Sequence, residues 1–440
     1  MLIPAAVARC MEALEQAGFE AYCVGGCVRD WLLGQEPHDF DLCASATPEE
    51  MKTLFHDQDL VLAGEKHGTV GVVTEEGVVE ITTFRKEGTY ADNRHPDRVE
   101  FVTDIRQDLA RRDFTVNAMA WSPKRGLQDP FGGEQDLKKG ILRCVGDPET
   151  RFREDALRIL RGVRFSVTYN LTPEPETERA MLALTELLDH LARERVYGEF
   201  CGFLPQTNKE QLLKYAPIIT QVIPELKATV GFDQHSPHHK YDLYTHLAQV
   251  VDRVPGDLPL RWAALLHDVG KIPTFTRDET GRGHFYGHAQ AGAEMADEIL
   301  RRLKAPTALR QQAVLLIEQH MTRLMLEKRL LKRYLGRWGR ETVEQLLYLQ
   351  QADMGSKGVP GEEEQEQFEV LWALLKEVEQ ESTCLTRKDL ALTGLDLLSL
   401  GYQGREIGAR LEELLEAVLD ERVKNEKEAL LEYLKRTETS

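Results

Sequence analysis

Two aspartates separated by a single residue could bind a divalent cation. Asp39 and Asp41 flank Phe40, and in a β-strand such alternate residues point to the same face. Mg²⁺ prefers a few carboxylate oxygens in combination with the phosphate oxygens of a substrate. The pair therefore predicts a magnesium site, although an Asp-x-Asp without further context is more typical of a solvated loop.

A glycine turn that could bind phosphate precedes the two aspartates. A short apolar run at 22–24 predicts a strand, Gly25 and Gly26 predict a turn, and residues 27–33 predict the start of a helix. N–H groups at the start of a helix attract anions, and Arg29 adds a charged fork for phosphate oxygens. A phosphate-binding turn followed by metal-binding carboxylates is the minimum requirement for phosphoryl or nucleotidyl transfer.

The run Gly25–Asp30, followed by Asp39-Phe40-Asp41, resembles the signature of the class II tRNA nucleotidyltransferases. These are the CCA-adding enzymes and their bacterial poly(A) polymerase relatives, in the polymerase β superfamily. The resemblance implies an α+β fold, in which an N-terminal polymerase β-like mixed sheet precedes a largely α-helical neck and body, a helical HD domain and a helical tail. It also implies that Asp39 and Asp41 are catalytic and hold Mg²⁺, and that Gly26 and Arg29 bind the nucleotide.

The segment 109–118 matches a second block of the same family. Arg112 is well suited to neutralise a triphosphate. Asp113 could be a further acidic group near the metal ions or the partner that holds Arg112, and the residues alone leave both possibilities open.

Charged residues recur at every third position in the helical run that follows residue 151. Asp155, Arg158, Arg161 and Arg164 are predicted to lie along one helical face. On a solvated helix, this spacing gives a stripe of salt bridges. The second interpretation is recognition of a nucleotide base.

Cytosine and adenine both present an amino donor beside a ring-nitrogen acceptor, whereas uracil and guanine present the reverse. A carboxylate beside a guanidinium would accept C and A, and would leave unpaired groups against U and G at a cost of roughly 1–3 kcal/mol each. The resemblance implies this role, because Glu154, Asp155 and Arg158 match the Glu-Asp-x-x-Arg block with which the family selects the base without a nucleic-acid template. Arg161 and Arg164 would then support the base or the triphosphate.

A second set of metal-binding residue types lies in the C-terminal half. Its members are histidines and aspartates in or beside helical segments: His246, His267, Asp268, His288, His320 and Asp353. Such a set suits a divalent transition metal or Mg²⁺. The run Leu265–Lys271, with the upstream histidine and the downstream Ala352-Asp353, resembles the HD phosphohydrolase superfamily. That resemblance maps the metal ligands to His246, His267, Asp268 and Asp353, with the other two histidines as extra ligands or acid–base groups and the metal unspecified. Gly270 is predicted to cap the helix that ends at this motif.

The elements that must position these residues can be predicted from hydrophobic spacing and caps. Residues 4–17 predict a helix that ends at Gly18. The run 47–50 is a capping box for a helix that extends to about Phe55. Residues 70–73 and 78–84 predict a hairpin. In the tail, an amphipathic stripe is predicted to pack in a core: Leu411, Leu414, Leu415 and Val418.

A charged segment from Arg85 to Asp97 predicts a mobile loop beside the first site. In the resembling family a flexible loop at this place is needed for the switch from C to A addition. The presence of the loop, with the run Asp92–Pro96, favours addition of the full CCA. The alternative is an ordinary solvated loop.

Composition predicts a cytoplasmic protein with no membrane partner. The 440 residues include no apolar run near the ~20 residues of a membrane span, and the N-terminus lacks the pattern of a secretory signal. Seven scattered cysteines predict reduced thiols. The net charge of −18 counts against a surface coated with nucleic-acid-binding groups, but it allows a local basic track.

Four domains are predicted with roles that follow from the resemblance. Residues 1–140 form the catalytic nucleotidyltransferase head, and 141–225 form a neck and body for base selection and tRNA binding. Residues 226–360 form the HD metal-binding domain, and 361–440 form a helical tail that contacts tRNA. The sequence predicts no oligomeric state.

The resemblance implies a tRNA nucleotidyltransferase of EC 2.7.7 type that adds or repairs the 3′-terminal CCA of tRNA. CTP and ATP are the expected donors, two metal ions assist the transfer, and the HD domain adds an expected phosphohydrolase activity. One alternative is a poly(A) polymerase or an enzyme that adds only CC or only A. A second is an HD phosphohydrolase whose head docks RNA. A non-catalytic RNA-binding protein is disfavoured by the two complete ligand sets.

Overall fold

The computed structural model describes residues 1–37, 39–87, 99–236, 240–324, 326–357, 362–381 and 384–438. The chain forms two compact units, Met1–Thr207 with Lys214–Pro224, and Asn208–Leu213 with Glu225–Ser440. The run Asp92–Pro96 of the predicted loop lies outside the described residues. Of the helices that are described, none combines the length and the apolar character needed to cross a membrane.

The first unit contains a mixed β-sheet of seven strands, as the sequence predicts for the head. Its strands, and four short ones outside the sheet, are β1 (Ala21–Val24), β2 (Asp41–Ala44), β3 (Leu60–Val61), β4 (Thr69–Thr74), β5 (Gly77–Thr83), β6 (Arg85–Glu87), β7 (Val99–Phe101), β8 (Ala120–Ser122), β9 (Gly126–Gln128), β10 (Ile141–Leu142) and β11 (Thr172–Pro173). The sheet order is β3-β4-β5-β2-β1-β8-β9. Strands β2 and β5 pair in parallel, and the other neighbours are antiparallel.

Buried apolar residues at the centre of the sheet hold this unit together. Every residue of β1 is buried, as are the last three of β2. Tyr22, Val24 and Cys43 join Phe84 and Leu109 in one core cluster. The strands that carry the candidate site are therefore fixed by hydrophobic burial, which does not depend on any ligand.

The helices up to residue 222 belong to the first unit, except for residues 209–213, which belong to the second unit. Up to residue 222 they are α1 (Ala5–Gln16), α2 (Gly26–Leu32), α3 (Pro48–Leu54), α4 (Ile105–Ala110), α5 (Gly133–Lys139), α6 (Pro148–Glu154), α7 (Leu157–Thr168), α8 (Pro175–Ala183), α9 (Arg193–Phe203), α10 (Lys209–Lys214) and α11 (Ala216–Val222). The predicted capping box at Thr47 is present, and the hairpin between β4 and β5 is confirmed with Thr74 opposite Gly77.

The helix predicted to carry Asp155 together with the following arginines is interrupted. α6 ends at Glu154, Asp155 has extended backbone angles of φ −139° and ψ 104°, and α7 begins at Leu157. The Asp155 carboxylate accepts a hydrogen bond from the Leu157 N–H at 3.0 Å, and such local bonds compete with continuation of a helix. The prediction that Asp155 shares a helical face with the arginines is therefore wrong.

The second unit is almost entirely helical. Its elements after residue 240 are α12 (Leu243–Arg253), α13 (Leu258–Leu266), α14 (Lys271–Thr274), β12 (Thr276–Arg277), β13 (Gly283–His284), α15 (His288–Arg302), α16 (Thr307–Gln319), α17 (Lys328–Trp338), α18 (Arg340–Gly355), α19 (Glu362–Glu381), α20 (Gly394–Ser399), α21 (Arg405–Leu419) and α22 (Lys427–Glu438). The predicted stripe of α21 is confirmed as core packing, since Leu414 and Leu415 are buried and Leu411 and Val418 pack against them.

Candidate functional site

A cavity of about 650 Å³ in the first unit collects the residues that the sequence nominates there. Its wall is built from the turn between β1 and α2, the segment that leads into β2, the residues after α4, and α7. The nominated residues that line it are Gly26, Arg29, Asp39, Asp41, Arg112, Asp155, Arg158, Arg161 and Arg164. Residues separated by more than 130 positions in sequence thus share one concave surface.

The two aspartates lie beside the glycine turn. Asp41 is the first residue of β2 and is opposite Val24, the last residue of β1, in the antiparallel register. Because Gly25 follows Val24 directly, this register places the Asp41 carboxylate next to the turn. Asp39 precedes the strand, so the prediction that both aspartates lie within a strand is wrong for Asp39, although both line the cavity.

The surroundings of the two carboxylates suit a divalent cation. Among the described residues, neither Asp39 nor Asp41 has a basic side chain within 4.0 Å. Removal from water raises the pKa of Asp41, Arg112 lowers it, and the charge of Asp39 raises it again. A cation between the two groups would counteract both effects that raise this pKa. The oxygen donor set is the one that Mg²⁺ prefers.

Arg29 is held rigidly at the wall of the cavity and is only 5% exposed. Its Nε donates to Asp30 Oδ1 at 2.9 Å, its Nη1 donates to Asn117 Oδ1 at 2.6 Å, and its Nη2 donates to the Tyr169 hydroxyl. The guanidinium carbon lies 4.0 Å from the centre of the Tyr169 ring. Arg29 can therefore act on a phosphate mainly as a fixed positive charge.

Asp108 anchors the cationic segment after α4, and the sequence analysis missed it. This carboxylate is fully buried and lies 3.0 Å from Arg111 Nη2 and 3.4 Å from Arg112 Nη2. Burial raises the pKa of Asp108, but the two arginines outweigh this effect and lower it. The signal available in the sequence was the spacing of three residues from Asp108 to Arg111 and of four to Arg112, which is typical of ion pairs on a helix.

Asp113 holds Arg161 and not Arg112, so one of the two roles considered for it in the sequence is wrong. It lines the same cavity as Asp39 and Asp41, and its role as an acidic group near the metal ions stays a prediction. Its Oδ1 accepts from Asn117 Nδ2 at 3.1 Å, and its Oδ2 accepts from Arg161 Nε at 2.7 Å. Arg112 pairs with Asp108 instead. Burial raises the pKa of Asp113, but Arg161 and Arg158 outweigh it and lower the pKa to about 2.

Hydrogen bonds from residues outside the predicted pair fix the side chains of Asp155 and Arg158. Asp155 Oδ2 accepts from Arg195 Nη2 at 2.8 Å. Arg158 Nη1 donates to Glu154 Oε2 at 2.7 Å, and its Nη2 donates to the Arg111 carbonyl at 2.9 Å. These contacts fix the directions of a carboxylate and a guanidinium that both line the cavity.

Helix α9 supplies two of the supporting charges, both missed in the sequence. Arg195 holds Asp155, and Glu199 Oε2 accepts from Arg164 Nε at 2.7 Å. Arg195 and Glu199 are four residues apart, so they lie on one face of α9. Their opposite charges at helical spacing were the only signal in the sequence. The arginines of α7 pair with residues of other elements and do not form the salt-bridge stripe that the sequence analysis considered.

The histidine and aspartate set of the second unit converges in a buried cluster. His246 lies on α12, His267 and Asp268 follow α13, and Asp353 lies on α18. Their ligand atoms all lie within 4.8 Å of one another. The shortest separations are 3.1 Å from His246 Nε2 to Asp353 Oδ1 and 3.3 Å from His267 Nε2 to Asp268 Oδ2.

The donors of this cluster fit a divalent metal ion. His267 Nδ1 donates to the Ala264 carbonyl at 2.9 Å, whereas the buried His267 Nε2 and Asp353 Oδ1 make no hydrogen bond within the described residues. Burial lowers the pKa of His267, but Asp268 and Asp353 outweigh it and raise it to about 9. Two carboxylates that stabilise a proton on this buried imidazole would also stabilise a metal ion in place of that proton.

Gly270 does not cap the preceding helix, contrary to the prediction. Its φ is −66°, and it precedes α14. A Cβ atom at this position would lie 2.2 Å from the His288 carbonyl oxygen and 2.4 Å from the Gly292 N. Glycine is needed here because the backbone after the His-Asp pair packs directly against the first turn of α15.

Comparisons with known proteins identify two domain families along the chain. Residues 21–143 match the model of the poly(A) polymerase head domain, and residues 243–354 match the model of the HD domain. The chain is 43% identical to the CCA-adding enzyme of Ligilactobacillus salivarius over 249 residues, which cover 54% of this chain and 61% of that protein. It is 35% identical to the CCA-adding enzyme of Levilactobacillus brevis over 429 residues, which cover 96% of this chain and 95% of the relative.

A solved structure shows the same architecture along the whole chain. The crystal structure of the Bacillus stearothermophilus CCA-adding enzyme in complex with CTP is similar with a TM-score of 0.68 and 27% identity. The alignment covers 100% of both chains. The similarity therefore includes the helical part as well as the sheet.

Proposed function

The chain belongs to the family of CCA-adding enzymes, and from this membership we propose that it adds or repairs the 3′-terminal CCA of tRNA. CTP and ATP donate the nucleotides, and the 3′-hydroxyl of the tRNA accepts them. The observation that carries the proposal is a single cavity lined by two aspartates, several arginines and the Asp155–Arg158 pair. These are the groups needed for metal binding, triphosphate binding and base selection.

Asp39 and Asp41 would hold Mg²⁺. When bound there, metal ions lower the pKa of the attacking hydroxyl and stabilise the charge of the pyrophosphate leaving group. The chain itself contributes the position of the two carboxylates, which the register of β1 and β2 brings next to the glycine turn.

The arginines bind and orient the triphosphate. Arg112 lines the cavity beside Gly25, and Asp108 fixes its side chain from the buried side. Arg29 is fixed by Asp30, Asn117 and Tyr169, so its charge is available without a change of rotamer. Charges that are already in place cost little reorganisation when the substrate binds.

Asp155 and Arg158 select the base. Each carboxylate oxygen has two lone pairs, so Asp155 can accept from the amino group of C or A while Arg195 holds it. Arg158 donates to the ring nitrogen. Uracil and guanine would place a carbonyl acceptor against the Asp155 carboxylate and an N–H donor against the Arg158 guanidinium. Neither pair can form a hydrogen bond, which disfavours both bases.

The proposed domain roles follow the same division. Residues 1–140 act as the catalytic head and 141–225 select the base and bind tRNA, while 361–440 contact tRNA further from its end. We propose a cytoplasmic site of action, because tRNA is the substrate and all seven cysteines are free.

The test is to incubate a tRNA that lacks CCA with CTP and ATP and to sequence the product ends. Ends that read CCA support the proposal. Ends that read CC, a single A or a run of A would assign one of the narrower activities or poly(A) synthesis. No added nucleotide, with release of phosphate from nucleotides, would favour an HD phosphohydrolase whose head docks RNA.

Asp39→Ala is expected to reduce addition by at least about 10³-fold, because one of the two metal-binding carboxylates is lost. Binding of tRNA is expected to change little. Asp57→Ala, at an exposed aspartate outside the cavity, is the matched control. Normal turnover of the Asp39 variant would remove the metal assignment.

The second unit supports a second function, a metal-dependent phosphohydrolase. The buried cluster of His246, His267, Asp268 and Asp353 would hold the metal ion. Release of inorganic phosphate from a nucleotide or a cyclic phosphate end, lost on His267→Ala, is the expected result. The same rate in the variant would exclude this site as the source of the activity.

A further inference from the structure

One aromatic ring in the wall of the cavity is surrounded by three arginines. Phe165 lies in the last turn of α7, and the guanidinium carbons of Arg29, Arg161 and Arg164 lie 5.4, 5.1 and 4.6 Å from the centre of its ring. These distances are within the about 6 Å over which the negative face of an aromatic ring attracts a cation. All four side chains line the cavity. The ring is therefore a shared partner of three positive charges.

Two helices and a close packing contact bring these side chains together. Arg161 precedes Phe165 by four residues, a spacing that places both side chains on one face of α7. The stem of Arg164 lies against α9 at Gly202, where a Cβ atom would collide with Arg164 Cδ. Arg29 comes from α2. The complete cluster thus exists only in the folded chain.

Carboxylates stabilise the three charges one by one but do not group them. Each guanidinium has a carboxylate partner at 2.7–2.8 Å, namely Asp30 for Arg29, Asp113 for Arg161 and Glu199 for Arg164. These carboxylates lie on three separate segments, and like charges that lie close together repel one another. Phe165 is the contact that the three arginines have in common.

Phe165 does not present its ring to a nucleobase. The residue is only 3% exposed, and the ring centres of Phe114 and Tyr169 lie 5.7 and 6.0 Å from its own. A base can stack only on a ring whose face is open to it. Phe165 must therefore act on a ligand through the arginines that surround it.

We propose that Phe165 is a positioning residue for the phosphate groups of the incoming nucleotide. It holds Arg29, Arg161 and Arg164 as one cationic cluster, and a chain of three phosphates has the charge to match it. An aliphatic side chain would exclude water equally well, but it has no negative face for a cation. The inference rests on the proposed nucleotidyl transfer and adds the group that arranges its triphosphate site.

The test measures the binding of inorganic tripolyphosphate and of CTP to the full chain by isothermal titration calorimetry. Phe165→Leu is expected to weaken both about 10-fold, because three cation–π contacts are lost while the site stays apolar. Trifluorophenylalanine in place of Phe165 should also weaken both, since fluorine withdraws charge from the ring face and leaves the shape of the ring nearly unchanged.

Phe114→Leu is the matched control. Phe114 is buried and packs edge-on against Phe165, but among the described residues no guanidinium lies over its ring. The variant removes an aromatic ring from the same core without removing a cation–π contact. It should bind tripolyphosphate and CTP as the wild type does.

Steady-state kinetics on a tRNA that lacks CCA give a readout that a loss of folding would not give. In Phe165→Leu, KM for CTP should rise about 10-fold with a smaller change in kcat, because the ring arranges binding charges and leaves Asp39 and Asp41 in place. The ratio of kcat/KM for CTP to that for UTP should stay the same, since Asp155 and Arg158 keep their partners.

The outcomes separate this inference from the proposed function. Unchanged affinity for tripolyphosphate in both Phe165 variants would overturn it, and an equal loss in Phe114→Leu would do so by assigning the effect to packing alone. If the wild type binds tripolyphosphate and the Phe165 variants do not, but no nucleotide is added to tRNA, the proposed function fails and the positioning role stands. Circular dichroism checks the folding of each variant, and should Phe165→Leu unfold, the fluorinated variant decides the question.

Discussion

At the scale of single residues, Arg195 controls the carboxylate that we propose reads the base. Its Nη2 donates to Asp155 Oδ2 at 2.8 Å and its Nη1 to Asp155 Oδ1 at 3.5 Å, and the side chain itself lines the cavity. Because both of these contacts are made to Asp155, we propose that Arg195 acts as a positioning residue. A defect here should therefore appear in the choice of base more than in the chemical step.

Arg195→Met is expected to reduce discrimination between CTP and UTP by about 10- to 100-fold, because a hydrogen bond to a charged group contributes roughly 1.5–3 kcal/mol. The measurement is kcat/KM for both nucleotides. Arg195→Lys should restore part of the discrimination. Arg193→Met, at the start of the same helix, is the control and should behave like the wild type. Unchanged base choice in Arg195→Met would contradict the positioning role.

Asp113 should make the protein sensitive to acid. Its pKa is about 2 when folded and about 3.9 when unfolded, so the unfolded state binds more protons between these values. The stabilisation is complete above about pH 4 and is lost as the pH falls toward 2.

The Tm of the wild type should therefore exceed that of Asp113→Asn most at pH 5, and the gap should narrow toward pH 2. Thermal denaturation followed by circular dichroism gives both values. Asp57→Asn, at an exposed site, should show no such narrowing. A difference in Tm between the wild type and Asp113→Asn that stays constant from pH 5 to pH 2 would contradict the assigned pKa.

At the scale of elements, the turn between β1 and α2 brings the phosphate-binding groups together. Gly25 has φ +72°, and a Cβ atom there would lie 3.0 Å from Arg112 Nη1. The turn thus needs glycine both for its backbone angles and for the approach of a guanidinium.

Gly25→Ala is expected to lower the free energy of unfolding by on the order of 1 kcal/mol or more and to raise KM for CTP and ATP. Gly18→Ala is the matched control, since Gly18 has φ +90° and no atom within 4 Å of an added Cβ. It should show the loss of stability without the change in KM. Equal KM values for CTP and ATP in the two variants would contradict a role of this turn in nucleotide binding. Chemical denaturation and steady-state kinetics supply the measurements.

The elements also show what the sequence could and could not predict. Apolar runs and caps predicted the hairpin of β4 and β5 and the helix after Thr47, because their causes are local. The break at Asp155 was missed, because an Asp followed by apolar residues at helical spacing fits both a helix interior and a cap. The partners Asp108 and Glu199 were missed as well, since ordinary charged residues acquire their roles only when distant segments meet.

At the scale of the whole molecule, charge is distributed unevenly. The chain carries a net charge of −18, yet among the described residues seven arginines and five aspartates line the cavity of the first unit. Binding of a polyanion must therefore depend on local fields against an acidic background.

Affinity for tRNA is expected to fall by roughly 10- to 100-fold between 50 and 200 mM salt, as counterions compete for a few phosphate contacts. Filter binding or fluorescence anisotropy at several salt concentrations gives the slope. Affinity that does not change with salt would mean that contacts other than phosphate ion pairs dominate.

Helix α9 has a consequence for the fidelity of the proposed reaction. A nucleic-acid template is itself copied and can acquire errors site by site, but here the instruction for C and A is stored in side chains that one helix braces through Arg195 and Glu199. If the proposed role of Arg195 holds, a single substitution at this position is expected to change the choice of base on every tRNA that the protein acts on. The accuracy of the added end would then depend on one guanidinium that orients Asp155 at the wall of the cavity.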